Sequence, residues 1–297
     1  MVLPHIKAIM FDIGGVVLKS PFVAIAEYER EKNLPPNYLN VSIASRGPSG
    51  AWQRFERGET ALHEFYAAFS EDLSDVDNGN EWYRRYCLRK GLTDEVELPA
   101  TLDIDGRDLF GRMMRTGASY DVHIVTAIQK LREAGKWRII ALTNNFGAHI
   151  IGTSPVANEY HHKNQHQPQA LSTAGISDSE LRFLGWQDGP VPSPIRALFH
   201  NFFDSSEVGL GKPDPEFYLH ACRESGVYPH EVIFLDDIGR NLKTAKELGM
   251  VTIHVPIGGT REVVKRLEEM LSVDLCVSNH GHGHDGHDED GSDLAKL

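Results

Sequence analysis

Cysteine is scarce in this chain, with Cys87, Cys222 and Cys276 the only three in 297 residues. Three scattered thiols exclude a disulfide framework and a paired-cysteine metal site, and free thiols in a reducing compartment are the simpler expectation. Long apolar runs are missing as well. No stretch approaches the ~18 residues that cross a bilayer, and Met1 to Ile6 has no basic segment leading into an apolar one, as a secretory leader would. Positive charge is in short supply. Lys and Arg number 30 against 42 Asp and Glu, a formal net charge of −12, and a field of that sign repels nucleic acid and anionic membranes. These absences predict a cytoplasmic protein with no nucleic-acid and no membrane partner, in which any phosphate-bearing ligand needs a local positive centre.

What is present suits a globular α/β protein: 41% hydrophobic and 24% charged residues are enough for a core domain plus an insertion. Ala8-Ile9-Met10-Phe11-Asp12-Ile13, followed by Gly14-Gly15, reads as a buried strand that stops at a tight turn. Trp137 to Thr143, Glu231 to Asp236, Val251 to Val255 and, more weakly, Leu198 to Asp204 share that character. Amphipathic helical patterns lie between them, ahead of Gly135, Gly226 and Gly249. Strands alternating with helices predict a Rossmann-like parallel sheet of at least five strands, flanked by helices on both faces.

Residues 19–115 break the alternation. Ser20-Pro21 opens one helix, and Thr60 caps another whose apolar face is Leu62, Phe65, Tyr66, Phe69 and Leu73. The expected organisation is a core of residues 1–18 and 116–278, with an inserted all-helical cap over 19–115 in which Trp52, Phe55 and Phe65 form the interior. Residues 151–195 read as a long irregular insertion within the core, and 279–297 as a disordered His/Asp-rich tail.

In a parallel sheet of this kind the ligand lies beyond the carboxyl ends of the strands. Four polar clusters fall there: Asp12, Thr143-Asn144-Asn145, Lys212 and Asp236-Asp237. Asp12 is either a nucleophile that accepts a phosphoryl group or a turn-capping carboxylate. Asp236 and Asp237 repel one another unless a cation lies between them, and a hard cation such as Mg²⁺ fits two carboxylates plus phosphate; helix capping alone accounts for Asp237 and leaves Asp236 unexplained. Lys212, in Gly209-Leu210-Gly211-Lys212-Pro213-Asp214-Pro215, is stiffened by two prolines and suits a point charge over a phosphate. Thr143 offers a hydroxyl to the same group.

These four clusters, in this order, resemble motifs one to four of the haloacid dehalogenase superfamily. Gly211 to Pro215, Phe234-Leu235-Asp236-Asp237-Ile238-Gly239-Arg240-Asn241-Leu242 and Leu248-Gly249-Met250 are similar to the branch that includes the N-terminal phosphatase domain of soluble epoxide hydrolases. The resemblance implies a mobile helical cap and a phosphatase that passes through an aspartyl-phosphate on a small phosphorylated substrate. It implies Asp12 as nucleophile and metal ligand, and Gly15, Thr143, Asn144 and Lys212 around the phosphate. Asp237 would be the direct Mg²⁺ ligand, with the Gly14 carbonyl beside it and Asp236 one layer further out.

One position departs from that pattern. Phosphatases of the family carry a second aspartate two residues after the nucleophile, as general acid; here it is Gly14. Its loss removes about 10²–10⁴ in rate while sparing nucleophile and metal. A slow or specialised phosphatase is expected, working on good leaving groups such as sugar 1-phosphates or acyl phosphates, or borrowing an acid from His63 or Glu56. The alternative is a regulatory relative that binds a phosphorylated ligand without turning it over. A 2-haloacid dehalogenase also lacks the second aspartate, but such relatives work without metal and the pair Asp236-Asp237 argues against that reading.

Overall fold

The computed structural model describes residues 2–57, 59–92, 96–145, 176–187, 189 and 191–276. In chain order it contains β1 (Ala8–Phe11), α1 (Pro21–Glu31), α2 (Tyr38–Ser45), α3 (Ala51–Glu56), α4 (Leu62–Ser74), α5 (Val76–Lys90), α6 (Gly106–Gly117), α7 (Val122–Ala134) and β2 (Arg138–Thr143). There follow α8 (Asp178–Leu184), α9 (Ser193–Arg196), β3 (Asn201–Asp204), α10 (Ser205–Val208), α11 (Pro215–Ser225), β4 (Val232–Asp236), α12 (Gly239–Glu247), β5 (Val251–His254) and α13 (Thr260–Leu271). The chain divides into two compact units, Met1–Ser20 with Ser119–Thr143 and Ser193–Leu297, and Pro21–Ala118 with Asn144–Pro192.

The first unit is built on a parallel sheet of strand order β3-β2-β1-β4-β5. β1 and β4 are buried along their whole length. That is why they read as unbroken apolar runs instead of alternating ones: a parallel sheet covered on both faces has no solvent side. Ala8, Met10, Ile140, Leu142 and Phe234 form one core with Phe217, Tyr218 and Cys222 of α11. α7 starts where Asp121 accepts hydrogen bonds from the N–H groups of His123 and Ile124, and stops at Gly135 in the left-handed region. The other oxygen of Asp121 accepts from Thr260 at 2.9 Å, which joins the start of α13 to the start of α7.

The second unit is all-helical among its described residues, with α1–α6 and α8. Its core is aromatic: Phe55 and Phe65 stack at 4.1 Å, Phe110 meets both edge-on, and Trp52 packs against the cluster. Corrected here is the expectation of an irregular insertion over 151–195 belonging to the sheet unit. Its described residues up to 192 include α8 and group with the helices, whereas Ser193–Arg196 forms α9 of the sheet unit. Ser177 caps its first turn by accepting from the Glu180 N–H, Gly185 ends it in the left-handed region, and Leu181, Leu184 and Trp186 are buried. Glu180 receives a 2.7 Å hydrogen bond from Tyr66 and a two-armed one from Arg107, whose guanidinium also lies 3.7 Å over the Phe183 ring. The rest of that insertion, and the tail at 279–297, lie outside the described residues. No helix among those described is long and apolar enough to cross a membrane.

Glu29 supplies a second fixed point in the helical unit. It is buried on α1, and its two oxygens accept from the N–H groups of Asn37 and Leu39 at 2.8 and 2.7 Å, holding the entry to α2. Burial pushes its carboxyl up from 4.5 to about 7, while those backbone donors pull the other way. A carboxyl whose folded value is raised binds more protons folded than unfolded, so it contributes stability in full below pH 4.5 and loses it as the pH rises to about 7. We therefore expect the stability gap between native protein and Glu29→Gln to shrink by about 1 kcal/mol per pH unit across that window. Urea denaturation at pH 5 and pH 7 measures it, and a gap that stays constant or widens with pH refutes this account of Glu29.

Candidate active site

Strand order decides where a ligand can sit. The chain runs from β1 outward to β3 on one side and returns as β4 on the other, so the crevice lies between the carboxyl ends of β1 and β4. Register brings the acidic residues to that gap. Phe11 pairs with Leu235, the Asp12 N–H donates to the Leu235 carbonyl at 2.9 Å, and Asp236 ends β4.

Lys212 reaches the gap from the loop before α11, across a cis peptide bond to Pro213. Its ammonium lies 2.7 Å from Asp12 Oδ2 and 2.9 Å from Asp236 Oδ2, and all three side chains are buried. Asp236 is saturated: its oxygens also accept from the Ile238 N–H at 2.7 Å and from the Asn241 amide at 3.1 Å each. Asp12 Oδ1 accepts from the Ile13 N–H at 2.6 Å. Asp237 is treated differently. Ser20 offers a hydroxyl 3.5 Å from Oδ2, while the buried Oδ1 has no hydrogen-bond partner among the described residues.

One oxygen each of Asp12, Asp236 and Asp237 lie within 4.8 Å of one another. Three carboxylates around one ammonium leave uncompensated negative charge, and the carboxyls show it. Burial, opposed by Lys212 and reinforced by Asp236, pushes Asp12 up to about 7; burial together with Asp12 and Asp236 pushes Asp237 up to about 8. Lys212 moves the other way from an ordinary buried lysine: burial opposes its charge, but Asp12 and Asp236 outweigh it and hold the ammonium above its usual range. A hard divalent cation answers both observations, since it balances the charge and gives the orphaned Asp237 oxygen a partner. The donor set of Asp12, Asp236 and Asp237 therefore fits a hard cation such as Mg²⁺.

The glycines after Asp12 differ from one another. Gly15 has φ +81°, and a methyl group built on it would lie 2.0 Å from Asp237 Oδ2, so only glycine lets the turn approach that carboxylate. Its own N–H donates to the Leu18 carbonyl at 2.9 Å. The lack of a side chain at Gly15, expected above beside the phosphate, leaves room for Asp237. Gly14 is the opposite case, since a methyl group there meets nothing within 4 Å.

The remaining expected residues are less tightly drawn together. Thr143 is buried at the end of β2, the strand beside β1, with Ala141 opposite Phe11. Asn144 follows it, half-buried, in the segment that groups with the helical unit. His63 and Glu56 belong to α4 and α3 of that unit. Sequence reading missed two participants. Asn241 falls five residues after Asp236, one turn into α12, and that spacing after a strand-end aspartate was the available signal. Ser20 read only as a helix cap, and nothing in the sequence links it to Asp237, 217 residues away.

If Gly15 acts by making room, Gly15→Ala displaces Asp237 and weakens Mg²⁺ binding by about 10–100-fold. Titration calorimetry with MgCl₂ checks this, and an unchanged affinity would show that the close approach is dispensable.

A family model described as haloacid dehalogenase-like hydrolase matches residues 6–249. Bifunctional epoxide hydrolase 2 of Rattus norvegicus is 40% identical over 269 residues, 90% of this chain and 39% of that protein. Acyl-CoA dehydrogenase family member 10 of Mus musculus is 26% identical over 91% of this chain and 19% of its own length. Flavin mononucleotide hydrolase 1 of Arabidopsis thaliana is 30% identical over 55% of this chain and 53% of its own. The chain thus spans well under half of the first two. With the acidic cluster, the lysine and the parallel sheet in the family's order, and with the match running almost end to end, this chain belongs to the haloacid dehalogenase-like hydrolases.

Proposed function

We propose that the chain is a Mg²⁺-dependent phosphatase for a small phosphorylated metabolite, acting through an aspartyl-phosphate on Asp12 and specialised by Gly14. The observation that carries this reading is the buried line Asp12–Lys212–Asp236 with the unpartnered Asp237 oxygen beside it. A cation held by this cluster, together with Lys212, would give an anionic substrate the positive centre that an acidic protein otherwise denies it. The relative named flavin mononucleotide hydrolase agrees with a phosphate ester of small size. The three cysteines stand as free thiols, which agrees with a reducing compartment such as the cytoplasm.

In this mechanism an Asp12 oxygen forms a bond to phosphorus while the bond to the leaving oxygen breaks, and the electron pair departs with the leaving group. Lys212 offsets negative charge on the phosphoryl oxygens, and Asp236, itself fixed by Asn241 and the Ile238 N–H, keeps that ammonium charged and aimed. Thr143 and Asn144 supply further donors to the phosphoryl group. Asp12, Asp237 and the Gly14 carbonyl would hold Mg²⁺, which would supply charge neutralisation and alignment for in-line displacement. Water then attacks phosphorus, releases phosphate and restores the Asp12 carboxylate.

Gly14 favours a second reading, in which the site binds a phosphorylated ligand without turnover. Release of phosphate from a panel of esters, with and without Mg²⁺, separates the two. We expect release that requires Mg²⁺ and falls to the blank rate in Asp12→Asn. Tight ester binding with no release in either protein supports the second reading, and metal-independent halide release from 2-haloacids defeats both.

A further inference from the structure

We infer that the substrate of this site is an acyl phosphate or a phosphate compound with a comparably stable leaving anion, because the position two residues after Asp12 carries no side chain and the ionisable groups described beside Asp12 on the sheet unit are already engaged. The inference rests on the phosphatase reading above and names its substrate class. Each ionisable group described beside Asp12 on β1, on the Lys212 loop and at the end of β4 already has a task. Lys212 is shared between Asp12 and Asp236, Asp236 accepts from three groups, Asp12 is the nucleophile, and Asp237 faces the cation. Ser20 and Thr143 are alcohols, too weakly acidic to serve. His254, which ends β5 beside Asp236, has its Nε2 against the Asp237 carbonyl oxygen at 3.1 Å. Gly14 has no side chain, and nothing among the described residues has moved into the space, since a methyl group built there meets no atom within 4 Å.

Leaving-group chemistry then decides which bonds can break. With no donor the bridging oxygen departs as an anion. A carboxylate, whose conjugate acid has a pKa of about 4, does so readily, and a phenolate at about 10 does so less well. An alkoxide, far more basic than a phenolate, does so poorly. For an acyl phosphate the first step moves the phosphoryl group from carboxylate to Asp12 and frees the acyl carboxylate, with no proton required. In the second, water forms the new P–O bond, the Asp12–phosphorus bond breaks, and the products are hydrogen phosphate and one proton released to solvent. The leaving group of that second step is always the Asp12 carboxylate. It needs no acid either, and it is the same for every substrate.

Because kcat/KM reports the first step, its dependence on leaving-group pKa tests the inference. The series is acetyl phosphate, substituted phenyl phosphates and glycerol phosphate, all with Mg²⁺, in native protein, Asp12→Asn, Gly14→Asp and His254→Gln. We expect kcat/KM in the native protein to fall steeply along the series, glycerol phosphate lying at least about 10²-fold below acetyl phosphate. Gly14→Asp, whose carboxyl enters open space, is expected to raise the glycerol phosphate value about 10²-fold or more and flatten the slope. The slope in His254→Gln should match the native one. A native slope that is already flat overturns the inference and leaves the phosphatase reading standing, since an acid must then come from elsewhere; a steeper slope in His254→Gln overturns it by identifying that acid. Failure of all compounds, acetyl phosphate included, to release phosphate in an Asp12-dependent way overturns the phosphatase reading and this inference with it.

Discussion

The placement of one ammonium group organises the sheet unit's functional end. Lys212 sits fully buried between Asp12 on β1 and Asp236 on β4, and it has come there from a loop that belongs to neither strand. Desolvating a lysine and two carboxylates is costly, and the arrangement holds only because each charge has near neighbours of opposite sign or strong donors. Asp236 shows how thoroughly this is arranged: the Ile238 N–H and the Asn241 amide complete its coordination, so the start of α12 is tied into the same network. Tyr218 on α11 donates in turn to the Asn241 carbonyl at 3.1 Å, which fixes the helix that follows the lysine loop against the helix that follows the aspartates. Removing one member leaves a buried charge unanswered, so the group stands or falls together.

The close approach of the turn after β1 is the second constraint, and it follows from the first. Lys212 holds Asp12 on one side, and Asp237 can face it on the other only if no side chain grows from Gly15. The two glycines look equivalent as letters. Their surroundings make one of them obligatory for space and leave the other open.

Much of this was legible in the sequence because it follows from local rules. β1, β2 and β4 appear as apolar runs since inner parallel strands are buried on both faces, and the runs end at polar residues since the site lies at their carboxyl ends. β3 was weaker because Asn201 and Phe202 are only half-buried. Asp12, Lys212, Asp236 and Asp237 were named from motif chemistry and the structure brings them together. What escaped was set by distance along the chain. Ser177-Asp178-Ser179-Glu180 carries a helix-start pattern, yet its assignment to the helical unit depends on Tyr66 and Arg107, which lie 114 and 73 residues from Glu180. The engagement of the Gly15 N–H by Leu18 is likewise a backbone matter that no side-chain pattern records.

The buried carboxylates of the chain, set side by side, show what the site is missing. Glu180 is held below its ordinary range because Arg107 and Tyr66 outweigh its burial. Glu29 has no such cation and is pushed up to about 7, but two backbone N–H groups still satisfy its oxygens. In both cases the protein supplies what the carboxylate needs from its own atoms. At the strand ends it does so only in part: Asp12 and Asp236 share Lys212, and one buried oxygen of Asp237 receives no donor among the described residues. A chain that solves the same electrostatic problem twice within its helices leaves, at the mouth of its sheet, an acidic cluster whose excess negative charge fits a hard cation.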